Sequence, residues 1–239
     1  MTTTEADAAT VRLARITGVL LLVMAVAAIF SEFGVRTGMV VAGDAEATAR
    51  NIQASPQLFR AGLFGYLVAF VCDVPVAVLF FLLLRHVGNG LALGAMAFRL
   101  VYTAVVGACL LAYGGAVHLL SGESYLSALG AEQLHAQALF FLRLFDQGFI
   151  LALVFFAFHL ILLGWLLFRS RQLPRVFGVL VLLGGASYLI DGTLYYLAPS
   201  MQVAAKPVLA VFGMAEVLLA LWLVVKGLRP ASRSATTAA

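Results

Sequence analysis

The sequence predicts an all-α fold, a polytopic transmembrane helical bundle of about six spanning helices. Three observations predict it. Apolar residues fill 63% of the 239 positions and charged residues only 11%, whereas soluble domains run nearer half apolar and a quarter charged. Mean hydropathy is +1.05. Six apolar stretches reach roughly the twenty residues that cross about 30 Å of hydrocarbon. Six helices with short loops consume nearly the whole chain, which leaves no room for a separate soluble catalytic or nucleic-acid-binding domain.

The first span covers residues 16–30, behind a short acidic, threonine-rich tail that ends in Arg12 and Arg15. Its start resembles a signal peptide, and Ala25-Val26-Ala27 imitates a cleavage triplet. The apolar run nevertheless continues through Ile29 and Phe30, so a retained helix is the reading adopted. Residues 31–57 form the longest connection. Within it Asp44 can cap a short helix whose Glu46 and Arg50 stand one turn apart; this helix would lie on the outer surface or act as a lid.

Ser55-Pro56 has the form of a cap followed by a first helical position, opening the second span at residues 58–84. There Pro75 deprives the Val71 carbonyl of its helical donor, beside Asp73. The third span is residues 91–120, the fourth 138–168, the fifth 176–197 and the sixth 208–228. Residues 1–229 are thus one integral membrane domain, and residues 230–239 a disordered cytoplasmic tail. Cys72 and Cys109 fall inside apolar stretches and read as small packing residues, not as a disulfide or a metal site.

Basic residues between spans set the orientation, because Lys- and Arg-rich loops stay cytoplasmic. Arg12, Arg15, Arg85, Arg169, Arg171, Arg175, Lys226, Arg229 and Arg233 lie on one side, against Arg36, Arg50, Arg60 and Lys206 on the other. Both termini are therefore expected in the cytoplasm, in a bacterial inner membrane. The net charge of +4 includes no basic run of the kind that binds nucleic acid.

Several stretches carry a family resemblance. They are Val41-Ala42-Gly43-Asp44-Ala45-Glu46-Ala47-Thr48-Ala49-Arg50-Asn51-Ile52, the run from Leu91-Ala92-Leu93 to Phe98-Arg99-Leu100, and Phe155-Phe156-Ala157-Phe158-His159. The last continues through Gly164, Phe168-Arg169-Ser170, Leu173-Pro174-Arg175 and Gly178 to Tyr188-Leu189-Ile190-Asp191. In these the chain resembles the domain-of-unknown-function 4386 family, bacterial multi-pass membrane proteins. The resemblance implies an integral membrane fold and no activity, cofactor or catalytic residue.

Ionisable residues mark where polar chemistry has been placed in lipid. Each costs about 2.5 to 3.5 kcal/mol at a helix centre, so such groups face protein or a wet cavity. At about 1.5 Å per residue, Arg143, Asp146, Asp191 and Glu216 share the outer half of their spans. With Tyr188 and Tyr195, which flank Asp191 on one helical stripe above Gly184, they make a candidate polar cavity. Asp73, Arg99 and His159 form a second, looser polar group in the inner-to-middle region. Arg99 shares a face with Tyr102 and Thr103 and needs a carboxylate or an anionic ligand; Asp73 is the first choice of partner. Arg143 and Asp146, three apart, can pair within one helix. Gly178, Gly185 and Gly192 recur every seven residues, as in a close helix-packing face.

Glu132-x-x-His135 has the spacing of half a di-metal carboxylate site, but a second copy is missing and the pair reads as solvated surface. No phosphate loop, dinucleotide fingerprint, zinc-protease pair or nucleophile elbow is present. The leading function is a small transporter that binds a polar or anionic solute, or exchanges protons, at the acid and arginine cluster. The competing class is a structural, sensory or accessory membrane protein; a lipid- or quinone-directed enzyme has less support. The expected partners are the lipid bilayer, a small ligand and, to widen a pathway, further copies of the chain; cofactor and substrate stay open.

Overall fold

The computed structural model describes residues 3–228, and all of its regular structure is helical. The tail expected at 230–239, and Arg229 and Arg233 from the orientation count, lie outside the described residues. The helices are α1 (Thr3–Ile29), α2 (Ala45–Ala54), α3 (Pro56–Leu84), α4 (Asn89–Leu119), α5 (Ala131–Ser170), α6 (Arg175–Leu197), α7 (Pro199–Gly213) and α8 (Ala215–Val225). Among the described residues five helical runs are long and apolar enough to cross a membrane: Ala8–Met39, Pro56–Leu84, Asn89–Leu119, Ala131–Ser170 and Arg175–Leu197. Large apolar side chains such as Phe64, Val71 and Leu111 are exposed on them, as a protein solvated by hydrocarbon requires. The chain is an all-α integral membrane protein.

Two expected boundaries change. The first span does not stop at residue 30. Helix α1 runs into a π-helical segment, Phe30–Arg36, and a last α-turn, Thr37–Met39. The wide turn is visible in its bonds: the Thr37 N–H and hydroxyl both reach the Glu32 carbonyl five residues back, the hydroxyl at 2.8 Å. The expected connection of residues 31–57 is therefore mostly helix, and Arg36 belongs to the apolar run instead of an outer loop. The sixth span also differs, because residues 208–228 are not one helix. The chain turns at Met214 between α7 and the 11-residue α8, and α8 alone is too short to cross the hydrocarbon.

Local chemistry sets the other boundaries, and one of them also moves. Asp44 accepts a hydrogen bond from the Ala47 N–H at 2.8 Å and caps α2; Gly43, at φ 81, makes the left-handed turn before it. One side of α2, with Thr48, Ala49 and Ile52, is buried. Pro56 opens α3, which continues through Pro75. Helix α5 starts at residue 131 instead of 138, and its 40 residues span about 60 Å at 1.5 Å each, so it extends beyond the hydrocarbon.

Two compact units divide the chain. Among the described residues one comprises 3–22, 75–99 and 156–228, the other 23–74 and 100–155. In the first unit, α5 and α6 pack through glycines. A Cβ on Gly178 would lie 2.6 Å from the Phe168 backbone nitrogen, and one on Gly185 2.8 Å from the Ala157 carbonyl oxygen, so this seam is the close packing face that the seven-residue spacing implies. Gly18 of α1 meets α8 equally closely, at the Ala220 carbonyl and Leu223. In the second unit, Gly62 and Gly65 of α3 receive the end of α1, with Val35 against the first and Ser31 and the Ala27 carbonyl against the second.

Candidate functional site

Among the described residues each unit carries an ionic network. In the second unit the network is built on the π-helical segment. Glu32 and Arg36 stand four positions apart, one turn along the helix, and face each other: Arg36 Nε donates to Glu32 Oε2 at 3.0 Å and Nη2 to Oε1 at 3.3 Å. This two-point pairing is the strong form of an arginine–carboxylate contact. Arg36 Nη1 also lies 2.7 Å from Asp146 Oδ1 of α5, and its guanidinium carbon is 5.6 Å from the Phe145 ring centre. The Tyr66 hydroxyl donates to Glu32 Oε2.

The small face of α3 makes this geometry reachable, because Gly62 lets Val35 approach within 2.9 Å of where a Cβ would be. Around the charges the Tyr66 ring packs on Phe145 at 5.3 Å and meets Tyr113 at 6.2 Å. The network is not sealed. The Glu32 side chain is 37% exposed and that of Asp146 24%, against 14% for Arg36. Elsewhere in this unit the Thr103 hydroxyl donates to Asp73 Oδ2, and both residues are buried.

In the first unit the centre is Arg99, whose side chain is 0% exposed. Its Nη1 lies 2.8 Å from His159 Nε2 and donates at 2.8 Å to Glu216 Oε1. An arginine offers donors only, so His159 Nε2 must accept. The imidazole is then the neutral tautomer with its proton on Nδ1, which donates to the Ala95 carbonyl at 2.8 Å. Phe80 and Phe156 flank the guanidinium at 5.9 and 5.3 Å, in reach of a cation–π contact. Sequence spacing places these groups: Ala95 and Arg99 are one turn apart on α4, as are Phe156 and His159 on α5.

The carboxylates of the expected cavity each bond a different partner, although Tyr188, Asp191 and Glu216 remain neighbours. Asp146 pairs with Arg36, not with Arg143, which is exposed one turn back on α5. Asp191 accepts a hydrogen bond from Gln202 Nε2 of α7 at 2.7 Å. Tyr188 packs edge-on against Phe156 at 5.7 Å and lies within electrostatic reach of both Glu216 and Asp191, so these three expected residues do come together; Tyr195 meets Tyr196 at 5.1 Å. Glu216 joins Arg99 and His159 of the second expected group. Its grouping by depth with Asp191 assumed one straight sixth span, whereas Glu216 sits in the first turn of α8, just after the break.

Sequence reasoning misses Glu32 and Arg36 as site residues, because in the sequence the first apolar run ends at Phe30. Their i,i+4 opposite charges were the available signal of a continuing helix. Nothing in a single sequence pairs Arg99 with a residue 117 positions away.

A family model described as "Domain of unknown function (DUF4386)" matches residues 16–227. A protein from Archaeoglobus fulgidus described as "Uncharacterized protein" is 30% identical over 165 residues, which covers 69% of this chain and 83% of the relative. No solved structure matches.

Proposed function

The chain belongs to the domain-of-unknown-function 4386 family, and from that premise we propose that it is a small permeation protein that moves a polar solute, coupled to protons, through the network of Glu32, Arg36, Tyr66 and Asp146. One observation carries the reading: an arginine bridges two carboxylates inside an apolar helical run, and both carboxylates keep part of their surface open. An ion pair that only fixes helix register gains from being dry and closed. Here two carboxylates share one directly bonded guanidinium, with the exposed Arg143 one turn away. Such a group can exchange a proton or a cation without dismantling the fold.

The π-helical turn supports the same reading, since wide turns inside α-helices occur frequently at functional sites. It carries both Glu32 and Arg36, and Glu32 also accepts from Tyr66 of the neighbouring helix. The orientation follows the basic residues: with α7 and α8 together making the sixth crossing, both termini lie in the cytoplasm and the membrane is a bacterial inner membrane.

The test uses the purified full-length chain in liposomes loaded with a pH-sensitive dye. Amino acids, small carboxylates and sugars are added in turn under an imposed proton gradient. The expected result is that at least one solute class accelerates internal acidification over empty liposomes, and that Asp146→Asn and Glu32→Gln each remove the acceleration while the protein stays folded. If no solute accelerates it, or both variants transport as wild type does, the reading is wrong.

A further inference from the structure

We propose that Arg99 is a binding site for a monocarboxylate with a small apolar body, and that Glu216 is its built-in occupant, which the ligand displaces. The chemistry of recognition is already assembled. A guanidinium presents planar donors that match a carboxylate, and Glu216 Oε1 at 2.8 Å from Nη1 displays that match. The flanks of the site are the rings of Phe80 and Phe156, which favour an apolar ligand body over a second charge. His159 is locked as an acceptor by its bond to the Ala95 carbonyl, so it holds Arg99 without adding a charge.

Two features single out Glu216 as the exchangeable partner. The first is access: its side chain is 17% exposed, whereas Arg99 is 0% exposed, so the carboxylate lies on the open side of the pair. The second is its mounting. Glu216 stands in the first turn of an 11-residue helix that begins after the turn at Met214, so no continuous helix holds it from the N-terminal side. The anchored part of α8 lies beyond it, where Ala220 and Leu223 meet Gly18 and Trp222 packs on Phe177 at 5.1 Å. Replacing one carboxylate by another keeps an anion on Arg99 throughout, which avoids leaving a buried cation unpaired, and the displaced Glu216 carboxylate turns to the side on which it is already 17% exposed.

The inference rests on the surroundings of Arg99 and not on the transport reading. Binding without flux would keep the site and remove transport; flux without binding would do the reverse. A carboxylate can arrive from water or from the bilayer, so the probes are butyrate and dodecanoate, each compared with its uncharged amide. Their binding to the full-length protein in detergent is followed through the fluorescence of Trp222, two turns from Glu216, and by thermal stabilisation.

An acid should bind and its amide should not. Removing the internal competitor by Glu216→Gln should tighten binding at least tenfold. Glu216→Asp, which keeps the charge but shortens its reach, should fall between the two and decides the matter if the Gln variant does not fold. Preference for butyrate identifies a water-borne ligand and preference for dodecanoate a membrane-borne one. Affinities that are flat across wild type and both variants, or amides that bind as well as acids, would overturn the proposal.

Discussion

Arg36, on the π-helical extension of α1, lies 2.7 Å from Asp146 of α5 and is held at two points by Glu32, four residues before it. One cation thereby ties a local pair to a helix more than a hundred residues away. The arrangement requires an apolar helix to stay helical through two charges and two glycines. Along the wide turn at Phe30–Arg36, Ser31 and Val35 lie against Gly65 and Gly62 while Glu32 meets Tyr66.

Breaking this tie from the cationic side should be costly. Arg36→Gln leaves Glu32 and Asp146 facing each other without a counter-charge. Truncating a buried pair costs about 3 to 5 kcal/mol and an exposed one about 0 to 1. With side chains 14% to 37% exposed, about 2 kcal/mol is expected. Adding Asp146→Asn to Arg36→Gln should recover part of that loss, and a double-mutant cycle on melting in detergent measures the coupling. Purely additive effects would mean that the 2.7 Å contact contributes nothing.

The glycine seam gives a sharper contrast. A Cβ at Gly185 would sit 2.8 Å from the Ala157 carbonyl oxygen and 2.9 Å from the Ile161 backbone nitrogen, and helix backbone cannot yield as a side chain tip can. Gly185→Ala should therefore cost about 1 to 3 kcal/mol, the range for overpacking. At Gly107 of α4 a Cβ meets nothing within 4 Å. Gly107→Ala should leave stability unchanged or raise it by up to about 1 kcal/mol, since alanine suits a helix interior better. Equal melting temperatures for the two variants would remove the seam.

These residues also mark what a single sequence discloses. Helix positions were legible because hydropathy, Pro56, the Asp44 cap and the Gly178 and Gly185 spacing are local signals, each acting within about two turns. The candidate site was legible only as a set of charges. Asp146, Arg99, His159 and Glu216 stand out because ionisable groups are costly in apolar runs, but their partners are set by tertiary packing: Arg36 for the first, and a three-helix meeting for the others. Depth arithmetic groups Glu216 with Asp191, and both act on Tyr188, but it gives no sign of the bond from Arg99, and the turn at Met214 has no proline to announce it.

Orientation can be read directly. With Cys72 and Cys109 replaced, a single cysteine at Ser127, in the segment between α4 and α5 that lacks Lys and Arg, should react with an impermeant thiol reagent added outside intact cells. One at Ser170, beside Arg169 and Arg171, should react only after permeabilisation. The reverse pattern would place both termini outside.

His159 supplies the last prediction, because its role follows from donor and acceptor chemistry alone. It accepts from Arg99 at Nε2 and donates from Nδ1 to the Ala95 carbonyl. A glutamine side chain can do both, with its oxygen toward Arg99 and its amide toward Ala95. His159→Gln should therefore cost less than about 1 kcal/mol. Phenylalanine fills a similar ring volume among Phe80 and Phe156 but has neither group, and removing the acceptor beside a buried guanidinium should cost about 2 to 3 kcal/mol. Thermal melts of the two variants in the same detergent decide the point. If phenylalanine is tolerated as well as glutamine, His159 is only a packing residue. If glutamine is as damaging as phenylalanine, the imidazole is needed for something other than the bridge from Arg99 to the Ala95 carbonyl.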